Sequence, residues 1–225
     1  MISEPLLDES LHMAIILPPA ILSATAVVAL VLCDFRQIRV GRYLFKPLAA
    51  AAFVWLAIAL DATTSSYGRW MLAGLLSCAL GDLLLMPDSE RSFLAGLVAF
   101  LCGHLLYAVA FLQMPVHFPG MAAVAVPALV LLIAATRWLR PHLDRGMQVP
   151  VLLYTVVITA MLLCAGLTAG QPAAPFIIAG AWGFAVSDLA VARRQFVNSS
   201  PINGLWGTPL YFYSQMLLAC SIAMA

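Results

Sequence analysis

The sequence predicts an all-α polytopic membrane protein, a bundle of about eight transmembrane helices. Three observations carry that prediction. Of 225 residues, 64% are hydrophobic and 9% charged, with a mean hydropathy of +1.00, whereas a soluble domain carries about a quarter charged residues. Apolar runs long enough to span a bilayer recur along the chain, separated by Pro, Gly or polar clusters. The basic residues fall almost entirely in alternate breaks between those runs. A hydrocarbon core about 30 Å thick takes roughly 20 residues per span, which leaves no length for a soluble domain. Residues 1–225 therefore read as a single integral membrane domain.

The first run, 13–33, follows an acidic start, MISEPLLDES, where a secretory leader would be basic; no cleaved leader is expected. It stops at Asp34 and Arg36. The second, 44–60, ends ahead of Ser65-Ser66-Tyr67-Gly68, and the third, 70–86, at Pro87-Asp88. The fourth, 93–114, meets Pro115, and the fifth, 120–138, ends near Pro141. The sixth, 150–169, stops at Gly170-Gln171-Pro172; the seventh, 173–192, precedes the polar stretch from Asn198 to Gly204; the eighth covers 205–224.

Ten of the eleven Lys and Arg residues lie in alternate breaks on one side: Arg36, Arg39, Arg42, Lys46, Arg91, Arg137, Arg140, Arg145, Arg193 and Arg194. Arg69 alone lies on the other. Basic short loops stay cytoplasmic, so both termini are expected in the periplasm of a bacterial inner membrane. Asp82 is followed 25 residues later by Tyr107, and Asp188 25 residues later by Tyr213, which points to two parallel four-helix repeats. The net charge of +1 gives no basic surface for nucleic acid. Five scattered cysteines, with no C-x-x-C pair, form neither a disulfide framework nor a metal site; no metal or cofactor is expected.

Eight of the ten acidic residues lie in the N-terminal segment, in loops or at helix ends; Asp82 and Asp188 lie inside apolar runs. An ionisable group there costs roughly 2.5–3.5 kcal/mol even on insertion scales, so it should face the bundle interior with partners. Counting from Pro87 and Arg193 puts both carboxyls about 7 Å inside the same, cytoplasmic, leaflet, where they can share one site. Two carboxyls in a dry pocket repel when both are ionised, which favours one acid and one base. Lys46, at the start of the second run, can snorkel toward phosphate or pair with an aspartate. His104 and Tyr107 share one face of the fourth helix, as do Tyr211 and Gln215 on the eighth. Ser187 points away from Asp188 and has no base at nucleophile spacing, but joins these residues as a substrate-binding candidate.

Gly81-Asp82 before an apolar run, then Phe93, Gly96, Phe100, His104 and Tyr107, then Phe184, Ser187 and Asp188, then Tyr211 to Gln215 resemble, in that order, the YhhN family of lysoplasmalogenases. Lys46-Pro47-Leu48 resembles that family's pattern too, whereas Phe212 stands where many members carry a second tyrosine. The resemblance implies hydrolysis of the vinyl ether of a lysoplasmalogen to a fatty aldehyde and glycerophosphoethanolamine or glycerophosphocholine, without a metal. The expected partners are that lysophospholipid and membrane lipids. A vinyl ether hydrolyses by protonation at carbon, so Asp82 and Asp188 would serve as acid and counter-charge, in either order. Lys46, His104, Tyr107, Ser187, Tyr211 and Gln215 would hold substrate. Two other functions also use a pair of membrane aspartates: a proton-coupled transporter and an intramembrane aspartyl protease.

Overall fold

A computed structural model describes residues 4–225, with side chains from Met13 onward; the side chains of the acidic start lie outside the described residues. Each apolar run is one helix: α1 (Glu4–Phe35), α2 (Arg39–Ala59), α3 (Ser66–Leu84), α4 (Glu90–Phe111), α5 (Phe118–Leu139), α6 (Arg145–Leu167), α7 (Ala174–Ala192) and α8 (Ile202–Cys220). Several helices begin before the apolar runs because polar residues cap them. The Ser65 side chain accepts from the Gly68 N–H at 2.9 Å and Ser89 from the Ser92 N–H at 3.1 Å, each satisfying an otherwise orphan donor. His117 caps α5 likewise, its Nδ1 accepting from the Gly120 N–H at 3.1 Å.

The chain is an all-α polytopic membrane protein. Six helices are long and apolar enough to cross a bilayer, while α3 and α8 fall outside that set. They carry Asp82, Tyr211, Ser214 and Gln215, and these side chains are buried inside the bundle rather than presented to lipid. The outer surface is apolar, with Leu17, Val28, Ile58, Val126, Ile133 and Leu152 exposed, as a lipid-facing surface requires.

Consecutive helices pair as hairpins, α1 with α2, α3 with α4, α5 with α6 and α7 with α8. Contacts of α2 on α3, α4 on α6, α6 on α7 and α8 on α1 close seven helices into a ring, with α5 packed outside against α6. α2 packs on α3 as α6 packs on α7, and α4 on α6 as α8 on α2, while α1 lies in the ring and α5 outside it. Tyr213 is not placed as Tyr107 is. It is 63% exposed on the outer surface, whereas Tyr107 is fully buried. Small residues let α3 and α4 approach closely. A Cβ on Gly74 would lie 2.5 Å from the Tyr107 ring and one on Gly81 2.8 Å from the Phe100 ring, so both aromatics occupy space that only glycine leaves.

Candidate active site

Asp82 lies in the last turn of α3, where Pro87 soon ends the helix, and Asp188 lies one turn before the end of α7. The α7 backbone then continues through a π-helical turn, Arg193–Val197. Asp188 itself meets His104 of α4. Both carboxyls line one cavity of about 540 Å³ inside the ring of helices.

The two carboxyls have different partners. Asp82 Oδ1 is 3.1 Å from the Lys46 ammonium of α2, and Asp82 Oδ2 accepts from the Tyr211 hydroxyl of α8 at 2.7 Å. Asp188 Oδ2 accepts from the Tyr154 hydroxyl of α6 at 2.8 Å and lies 3.4 Å from His104 Nε2 of α4. That last separation is an ion-pair distance outside hydrogen-bond alignment, so His104 Nε2 is buried without a hydrogen-bond partner among the described residues. Each aspartate sits on the third helix of its half of the chain, facing one residue from the second helix of that half and one from the fourth helix of the other.

Phe184 stacks on the His104 ring at 4.2 Å and 23°, and Tyr154 meets it edge-on at 5.3 Å. Lys46, Ser187 and Tyr211 join the aspartates on the cavity wall. The Ser187 hydroxyl donates back to the Phe184 carbonyl at 2.7 Å, which occupies its only proton within its own helix. His104 stands behind Asp188. Tyr107 donates to Gln215 Oε1 at 2.5 Å; both are buried off the wall, joining α4 to α8 behind the site.

The sequence does not single out Tyr154, because one tyrosine in an apolar run looks like any interfacial aromatic. The repeat was the available signal. Tyr154 precedes Asp188 by 34 residues, much as Lys46 precedes Asp82. Nor does the sequence reveal the cavity mouth, since loop charges in sequence report topology and not which of them meet. There Arg42 donates to the Met86 carbonyl at 3.2 Å and to Asp88 at 3.3 Å, and Asp34 lies 3.8 Å from Arg42 and 3.2 Å from Arg194. The π turn is tied to α8 by Arg193, which donates to Asn203 Oδ1 at 2.6 Å. The mouth thus holds two guanidinium groups paired with the Asp34 and Asp88 carboxylates, with Glu90 beside them, and Asp82 and Asp188 line the same cavity. Among the described residues, no three His, Cys, Asp or Glu side chains are grouped to hold a metal ion, and the cysteines are free.

The sequence model of the YhhN family matches residues 41–222, which include every side chain of this site except Asp34. A mouse protein named Lysoplasmalogenase TMEM86B is 31% identical over 179 residues, covering 77% of this chain and 70% of its own. A Mycobacterium bovis protein named Lysoplasmalogenase is 32% identical over 164 residues, covering 70% of this chain and 62% of its own. The human TMEM86B lysoplasmalogenase is 29% identical over 180 residues, covering 77% of this chain and 70% of its own. No solved structure matches the chain.

Proposed function

The chain belongs to the YhhN family, and from that premise we propose that it is a lysoplasmalogenase, an ether hydrolase that cleaves the vinyl ether of a lysophospholipid to a fatty aldehyde and glycerophosphoethanolamine or glycerophosphocholine. One observation carries the reading beyond kinship: two membrane carboxyls with unlike partners share a cavity whose mouth holds Arg42 and Arg194, each paired with a carboxylate. The names of the relatives point the same way. The excess of Lys and Arg in the loops on the side of the mouth supports a site in the cytoplasmic leaflet of a bacterial inner membrane, with both termini periplasmic.

The chemistry needs one acid and one base. A protonated carboxyl gives its proton to the β-carbon of the vinyl ether, and the ether oxygen shares a lone pair to form an oxocarbenium ion. The ionised carboxylate stabilises that cation and takes a proton from the water that adds to the α-carbon, producing a hemiacetal. On collapse the first carboxylate accepts the hemiacetal hydroxyl proton. The second returns its proton to the glycerol oxygen as the C–O bond breaks. One water is consumed, and both carboxyls regain their starting states. Arg42 and Arg194 at the mouth attract the phosphate, while the alkenyl chain lies along the apolar wall that includes Leu131, Val151 and Ile158.

Purified protein in detergent, given lysoplasmenylethanolamine, should release aldehyde, and turnover should slow in heavy water because protonation of carbon is a slow step. The ester lysolipid and the saturated alkyl ether lysolipid should compete for binding without being cleaved. Fatty acid released from the ester at a comparable rate would make the protein an esterase instead. Uptake into proteoliposomes without turnover would favour a proton-coupled transporter.

A further inference from the structure

Resting on that reading, we infer that the two carboxyls have fixed and unlike roles: Asp188, with His104 as its positioning residue, delivers the proton to the substrate, and Asp82, held by Lys46 and Tyr211, takes the proton of water. The inference begins at His104 Nδ1, which lies 2.7 Å from the Phe100 carbonyl oxygen. A carbonyl only accepts, so Nδ1 carries the hydrogen, and in a neutral ring Nε2 is left with a lone pair. Nε2 lies 3.4 Å from Asp188 Oδ2, off the line of a hydrogen bond, with the histidine side chain 0% exposed and no other partner for that nitrogen among the described residues. An ionised carboxylate offers only lone pairs of its own. Two acceptors facing each other in a buried site repel, whereas one proton between them makes the contact attractive and satisfies Nε2. Stacking on Phe184 and edge contact with Tyr154 keep the ring from turning away.

Asp82 has the opposite surroundings. Its two oxygens face an ammonium, which can only donate, and a hydroxyl that donates to it. Nothing there calls for a further proton. The pseudo-equivalent positions of the repeat have thus diverged: Lys46 and Tyr211 are donors to Asp82, whereas Tyr154 and His104 supply Asp188 with one donor and one acceptor. The titratable groups facing the His104–Asp188 pair are Tyr154 of α6, Asp82 and Cys78 of α3, and Lys46 of α2 beyond Asp82. On α7 itself Asp188 is the only charged residue. The terminal torsion of a carboxyl is broad and two-fold, so Asp188 can turn its proton from the imidazole to the cavity with little cost. The Asp188 O–H bond breaks as the β-carbon–hydrogen bond forms. Asp188 remains as a carboxylate stabilised by the Tyr154 hydroxyl.

Hydrogen exchange separates the two roles. In heavy water with lysoplasmenylethanolamine, Asp82→Asn should still protonate carbon but capture water slowly, so the cation reverts and deuterium accumulates at the vinyl β-carbon of recovered substrate. Asp188→Asn should neither hydrolyse nor exchange, with kcat down by about 10²–10⁴-fold, as expected for loss of a general acid. His104→Gln should lower kcat at least about tenfold with KM little changed, the loss that follows when a proton donor is present but poorly held. Should Asp82→Asn fold poorly with Lys46 left unpaired, Asp82→Asn/Lys46→Met keeps the charge matched and should show the same exchange. Exchange in Asp188→Asn, or in neither aspartate variant, would overturn the assignment.

A second readout needs no turnover. Nitrogen NMR of histidine-labelled protein, with the His104 signal identified by its loss in His104→Gln, should show hydrogen on Nδ1. It should also show an Nε2 signal that shifts in Asp188→Asn and stays in place in Asp82→Asn. Hydrogen fixed on Nε2 alone, or a signal indifferent to Asp188, would overturn the shared proton. Absence of aldehyde from the wild type would instead overturn the functional reading, and proton delivery with it, while the nitrogen signals would still decide where the proton sits.

Discussion

Replacing Lys46 by Met leaves the Asp82 carboxylate without its counter-charge. At 3.1 Å and an effective dielectric of about 20, the attraction removed is about 5 kcal/mol. The Lys46 side chain is 18% exposed and Asp82 3%, so water at the lysine end screens part of it. Breaking a buried pair costs about 3–5 kcal/mol, and the low end applies to this half-open geometry. For a chain of this size that corresponds to a fall in Tm of roughly 6–12 °C. Asp82→Asn alone leaves the ammonium unpaired and should fall in the same way. The double variant Lys46→Met/Asp82→Asn removes both charges and should recover at least half of either loss, because the two changes are coupled. Thermal unfolding in one detergent, followed by tryptophan fluorescence, measures all four proteins, and aldehyde release is assayed on the same samples. The double variant should be stable yet inactive. If it melts below the wild type by the sum of the two single losses, the residues act independently and the ion pair does not hold the site.

Two further outcomes follow from the fold. A reporter active only in the periplasm should be active when fused after Ala225 and silent near Arg140; the reverse would move the cavity mouth to the opposite leaflet. Gly74→Ala places a Cβ against the Tyr107 ring at 2.5 Å, so it should cost about 1–3 kcal/mol of stability, read as a lowered Tm. An unchanged Tm would mean that α3 and α4 can separate there freely.

Helix positions were legible because a bilayer leaves the chain little choice. Each span must be a long apolar run that satisfies its own backbone, and the breaks at Ser65-Ser66, Pro87, Pro115 and Gly170 mark the ends within a few residues. Asp82 and Asp188 stood out for the same reason, since a carboxylate within a span is too costly to be incidental. The end of α7 was less legible: the helix does not stop at Arg193 but continues through a π turn, Arg193–Val197. Tyr213, paired with Tyr107 by spacing alone, turned out to face outward, because equal spacing does not fix the rotation of a helix about its axis.

By itself, then, the sequence determined that this is a membrane bundle of helices with two carboxyls inside its apolar runs and a strongly one-sided set of basic loops. These properties are local, each following from the solvent that a run of about 20 residues must face. Only the tertiary structure decided that α5 lies outside the ring, that Tyr154 reaches Asp188, that Lys46 belongs to Asp82, and that Tyr107 and Gln215 bond to each other behind the cavity. Those choices depend on which faces of distant helices meet. A lipid-exposed apolar face and an apolar face packed on a neighbour read alike in sequence, since hydrocarbon and protein interior are nearly the same solvent.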